Sequence, residues 1–101
     1  MQDITAAEVK SRLDAGENLH LLDVREPDEY AEFNIGAKLV PLGQVMSMQI
    51  DELEDWKDEE VIIHCRSGKR SLQAGLMMET MGFKNVKNLV GGVLAWQELG
   101  K

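Results

Sequence analysis

The chain has 101 residues, 44% of them hydrophobic and 29% charged, with a formal net charge of −7. That balance suits one compact domain, 1–101, and does not favour a disordered chain; no apolar run approaches the ~20 residues a helical membrane span requires. A pI near 4.7 sets the surface against phosphate backbones, so nucleic acid is not an expected partner.

The opening "MQDITAAEVK" has neither the basic start nor the apolar stretch of a secretory leader, and a cytoplasmic location is expected. Thr5 with Glu8 three residues on predicts a capping box and a helix through "TAAEVKSRLDAG", stopped at Gly16. "HLLDVRE" predicts a buried strand, with Asp23 and Arg25 as a paired, fold-supporting set of charges at its end. Pro27 starts a short helix in "EPDEYAEF". "KLVPL" predicts a brief strand closed by Pro41, and "GQVMSMQIDELEDW" one or two short helices. "EEVIIHC", β-branched and short, is the clearest strand.

The segment "SLQAGLMMETMGF" predicts a helix with Leu72, Leu76 and Met77 on one face and Gly82 as its cap. "KNVKNLVGGVLAWQELG" predicts a strand, a Gly91–Gly92 turn and a last helix ending at Gly100, with Val93, Leu94 and Trp96 on its core side. Strands alternating with helices predict an α/β domain with a mostly parallel sheet, whose ligands sit beyond the C-terminal strand ends.

The single cysteine, Cys65, falls at such an end, within "VIIHCRSGKRS". One cysteine makes no internal disulfide, and with only His20 and His64 beside it in the inventory no thiolate-rich zinc site is expected. After Cys65 come Arg66, Ser67, Gly68, Lys69, Arg70 and Ser71, with no acid among them. A strand-loop-helix of this kind aims the free N–H groups of the helix start, and its positive dipole end, back at the loop. With Gly68 to allow the turn, successive amides can form an anion nest. Cysteines so placed have pKa values of roughly 3.5–7.5 rather than about 8.5, and Cys65 is expected to be largely thiolate at neutral pH. His64, by strand alternation, points away from it and is read as structural.

These residues resemble the single-domain rhodaneses. "LLDVREPDEYAEFNIGAKLVPL" is similar to the family's N-terminal signature, "VIIHCRSGKRS" to its active-site loop, and "GFKNVKNLVGGVLAW" to its C-terminal signature. "FNIGA", Phe33 to Ala37, departs from the common Gly-His-Ile-Pro-Gly-Ala: it is one residue shorter and lacks the histidine and proline. The resemblance implies a three-layer α/β/α fold. It implies a sulfurtransferase moving a sulfane sulfur from thiosulfate to cyanide, a small thiol or a protein thiol through a persulfide on Cys65. Arg66, Ser67, Gly68, Lys69 and Arg70 would bind the donor, with no metal or organic cofactor. A persulfide carrier or sulfur-sensing module is the alternative. Cysteine phosphatases of related fold place five residues between cysteine and arginine, whereas four separate Cys65 from Arg70, a tighter ring for a phosphoryl group.

Of the other notable residues, Met77, Met78 and Met81, with Met46 and Met48 upstream, are expected to fill gaps in the core; the alternative is a soft apolar rim for a protein acceptor, with Met46 to Ile50 as part of its lip. Gly91 and Gly92 are read as a tight turn rather than a phosphate loop.

Overall fold

A computed structural model describes residues 1–100; Lys101, the last residue of the expected domain, lies outside the described residues. Five strands, β1 (Gln2–Ile4), β2 (His20–Asp23), β3 (Lys38–Leu39), β4 (Glu60–His64) and β5 (Asn85–Leu89), form one sheet in the order β1-β5-β4-β2-β3. Every pairing is parallel. The connections carry α1 (Ala6–Asp14), α2 (Pro27–Glu32), α3 (Leu42–Met46), a 3-10 helix (Asp51–Trp56), α4 (Lys69–Thr80) and α5 (Gly92–Glu98). Among the described residues no helix is long and apolar enough to cross a membrane.

Strand alternation divides the interior into two cores. Val61 and Ile63 of β4 join Leu22, Val45, Leu53, Ala74, Met78, Phe83 and Val86 on one side of the sheet. Ile62 joins Ile4, Val9, Leu21 and Leu89 on the other, where Leu13, Ala95 and Trp96 pack against them. Helices cover both faces, which gives the three layers.

Local signals account for the element starts. The Thr5 hydroxyl accepts from the Glu8 amide at 3.1 Å, the expected N-cap, while the Glu8 carboxylate accepts from the Thr5 hydroxyl at 3.1 Å rather than from the Thr5 amide that the expected reciprocal box requires. In α2 the Glu26 amide donates to the Glu29 carboxylate at 3.0 Å, part of a capping box beside Pro27.

Three expectations need correction. β1 was not anticipated; of its residues only Ile4 is buried, and its place comes from pairing with Lys87 to Leu89 of β5. On α4 the packed face is Ser71, Ala74, Gly75 and Met78, whereas Leu72 and Leu76 are 45% and 52% exposed. Small residues let this helix approach the sheet closely, and a Cβ on Gly75 would meet Val86 Cγ1 at 3.2 Å. On α5, Val93 is buried but Leu94 is exposed, and the helix ends at Glu98 rather than Gly100.

Candidate active site

The chain leaves β2 toward β3 and leaves β4 toward β5, so the connections diverge at the C-terminal ends of β2 and β4. That divergence opens a crevice in a parallel sheet. Cys65 follows β4 there. The residue is only 1% exposed and belongs to the apolar core cluster beneath the loop.

Its sulfur nevertheless meets polar hydrogens. The Gly68 amide donates to Sγ at 3.1 Å, and the Ser71 Oγ lies 3.5 Å away. Burial pushes the Cys65 thiol up, but the Ser71 hydroxyl and the amides of Ser71, Gly68 and Ser67 outweigh it and hold the thiol below its ordinary value. Gly68 makes the turn at φ +107° and caps the N-terminus of α4. A side chain there would be strained.

The other side of the loop leans on α5. The Val93 amide donates to the Cys65 carbonyl at 2.9 Å and the Leu94 amide to the Arg66 carbonyl at 3.1 Å. Gly92 permits that approach: at φ +54°, a Cβ on it would lie 2.7 Å from the Arg66 carbonyl oxygen and collide with the Cys65 carbonyl. The Gly91–Gly92 turn is therefore a seat for the loop.

The three cations of the loop are disposed differently from their order in the sequence. Arg70 forms a two-pronged ion pair with Glu29 of α2, at 2.6 and 2.8 Å. The Arg70 guanidinium holds the Glu29 carboxyl down to about 2, and the carboxylate raises Arg70 in turn. Arg66 and Lys69 are exposed, and Arg66 lines a cleft of about 150 Å³ with Arg25, Glu29 and Phe33. The sulfur's hydrogen bonds come from backbone and hydroxyl, and none comes from these three side chains.

Beneath the loop lie the fold-supporting charges. Arg25 binds both oxygens of Asp23, at 2.8 Å through Nη2, and donates to the Phe33 carbonyl at 2.7 Å. His64 is fully buried; its Nδ1 lies 3.4 Å from the Cys65 carbonyl and its Nε2 3.7 Å from Asp23, with no hydrogen-bond partner at Nε2. Burial pushes its pKa down, so the ring is neutral at pH 7. The shortened Phe33–Ala37 segment is held by the Asn34 side chain, which accepts from the Gly36 amide at 3.0 Å and donates to the Tyr30 carbonyl at 3.1 Å.

Two residues, one beside the sulfur and one a step behind it, were not singled out from the sequence. Ser71 stood only as a helix start, and Asn88 only as part of a strand. Both are buried, and the Ser71 Oγ lies 2.6 Å from Asn88 Oδ1. An asparagine inside a strand, where that residue type is depleted, was the available signal for Asn88.

A family model of the rhodanese-like domain matches residues 5–99. The chain belongs to the rhodanese-like domain family. Its relatives include a sulfurtransferase of Allochromatium vinosum, 34% identical over 100 residues that cover 99% of this chain and 92% of that one. A candidate sulfur carrier protein of Bacillus subtilis, YrkF, is 39% identical over 95 residues, 93% of this chain and 50% of that protein, so the rhodanese-like domain spans half of that relative. The crystal structure of a rhodanese-like domain protein from Staphylococcus aureus superposes with a TM-score of 0.81 at 32% identity, covering 95% of this chain and 91% of that one.

Proposed function

We propose that this rhodanese-like domain takes a sulfane sulfur from thiosulfate, or a related anionic donor, onto Cys65 and passes it to cyanide or a thiol. The observation that carries the reading is the set of N–H and O–H groups around one sulfur that lies deep at a strand end. The Cys65 thiolate attacks the outer sulfur of thiosulfate. A bond forms between Sγ and that sulfur, the bond to the sulfonate sulfur breaks, and its electron pair leaves with sulfite. The acceptor then attacks the terminal sulfur of the persulfide, and the Sγ–S pair returns to Cys65 as thiolate. No external oxidant or reductant enters the cycle.

Fixed donors around a site of changing charge need no reorganisation at the moment of reaction. Ser67, Gly68 and Ser71 supply them in this reading. Arg66 and Lys69 at the mouth match the two negative charges of thiosulfate, and Arg70 acts with Glu29 to hold α4 against α2. The naming of one relative as a sulfur carrier favours a second reading, in which Cys65 loads once and hands the sulfur to a protein thiol.

Steady-state consumption of thiosulfate with cyanide tests the proposal on the wild type and Cys65→Ser. Multiple turnovers in the wild type, lost in the variant, are expected. One sulfur loaded per chain without cycling selects the carrier reading. Aryl phosphate hydrolysed faster than thiosulfate is consumed contradicts both.

A further inference from the structure

Ser71 has one hydroxyl hydrogen and three acceptors around it: Asn88 Oδ1 at 2.6 Å, the Gly68 carbonyl at 3.1 Å and Cys65 Sγ at 3.5 Å. All three side chains are buried, with Ser71 at 0%, Cys65 at 1% and Asn88 at 8% exposure, so bulk solvent does not supply a replacement donor. The orientation of the Asn88 amide follows from its other contact. Its Nδ2 donates to the Gly68 carbonyl at 3.3 Å, a place where the amide oxygen would be repelled. The oxygen therefore faces Ser71 and takes the hydrogen at the shortest of the three distances.

We propose that Asn88 governs how readily Cys65 acts as a nucleophile, by competing with the sulfur for the single hydrogen of the Ser71 hydroxyl. While Cys65 is a thiol, its S–H donates to a lone pair of Ser71 Oγ, and the hydroxyl hydrogen stays on Asn88. When Cys65 ionises, the hydroxyl turns to donate to Sγ, and its bond to Asn88 is given up. The backbone amides favour the anion, and Asn88 opposes them. A thiol loses intrinsic nucleophilicity as its pKa falls, and the best attacking thiol ionises near ambient pH. Asn88 acts here as a positioning residue that keeps the sulfur from being over-stabilised.

The charged and titratable groups near the sulfur are His64 of β4, Asp23 at the end of β2, Arg25 just beyond it, Arg66 of the loop, Lys69 at the start of α4, and the Arg70–Glu29 pair of α4 and α2. Lys87, beside Asn88, points to the other face of β5 and pairs with Glu60. None of them hydrogen-bonds Asn88 or the Ser71 hydroxyl, so substitutions at Asn88 leave that charge set in place.

The inference rests on the reading of Cys65 as the nucleophile, but alkylation by iodoacetamide reads the thiol without sulfur transfer, so the two can fail separately. The rate of alkylation against pH is measured for Asn88→Ala and Asn88→Asp, each with Ser71 intact and in a Ser71→Ala background. Asn88→Ala frees the hydroxyl for the sulfur and is expected to lower the midpoint by about one pH unit, the scale of one hydrogen bond to an anion. That shift should vanish in the Ser71→Ala background. Asn88→Asp, close in shape and acceptor-only, should raise the midpoint, and by more when Ser71 is present. It carries the test alone if Asn88→Ala folds poorly. A midpoint that stays or rises in Asn88→Ala, or shifts of equal size with and without the Ser71 hydroxyl, would overturn the proposal.

Discussion

At the N-terminal end of β4, Glu60 accepts from Arg12 at 2.6 and 3.0 Å and from Lys87 at 2.6 Å. At the C-terminal end, five residues on, Cys65 accepts from amides and a hydroxyl. Both ends gather polar groups around one acid, yet they differ in kind. Around Glu60, whole charges saturate one another: hydrogen bonds from Arg12, and secondarily from Lys87, outweigh burial and hold the carboxyl down to about 2. Around Cys65, partial charges of the backbone converge on a single atom, and Arg70 has its own carboxylate in Glu29. A satisfied ion cluster ties strands to a helix. A sulfur held by dipoles stays available to form and break a bond. The hydrogen bonds to the sulfur come from the backbone turning at Gly68 and from the Ser71 hydroxyl, not from the formal charges of the loop.

The sharpest way to break the contrast is Gly92→Ala. The new methyl group collides with the backbone that carries Cys65 and Arg66, and displacing a reacting atom by about 1 Å costs on the order of 100-fold in rate. Thiosulfate turnover is expected to fall by about that factor, with a smaller loss of thermal stability. Activity unchanged within a factor of two would mean that the seat on α5 does not set the geometry of the loop.

Glu60→Gln tests the other end and has a smaller effect. Because the Glu60 pKa is lowered in the fold, its contribution is fully present above pH 4.5 and is lost as pH falls through 4.5 toward about 2. The wild type should therefore lose stability over that window more steeply than the variant. At neutral pH the substitution should cost about 1–3 kcal/mol, read by urea unfolding, while the pH profile of Cys65 alkylation stays where it was. A moved alkylation profile would show that the two ends are coupled and spoil the comparison.

The loop itself was legible in the sequence because everything in it is local: an apolar strand, a cysteine, a glycine three residues on and a helix start. Its resemblance to a family signature was legible for the same reason. What could not be read came from distant chain. Glu29 stands 41 residues before Arg70, and only the placement of α2 beside α4 shows that the guanidinium is already paired. Asn88 reaches the sulfur's neighbour because β5 lies next to β4, a matter of strand order that "NVKNL" does not state. The buried face of α4 was misjudged because Leu72 and Leu76 outrank Ser71, Ala74 and Gly75 in hydrophobicity. Close approach to the sheet selects small side chains over large ones, and that requirement belongs to the neighbour rather than to the helix.

On the proposed function, Cys65, ionised within its ring of donors, accepts one sulfur atom. Intact-mass spectrometry of the protein after brief exposure to thiosulfate, followed by peptide mapping, measures it directly. A gain of one sulfur on Cys65, removed by cyanide and absent in Cys65→Ser, is expected. A wild-type protein that gains no sulfur, or carries it equally in the variant, would contradict it.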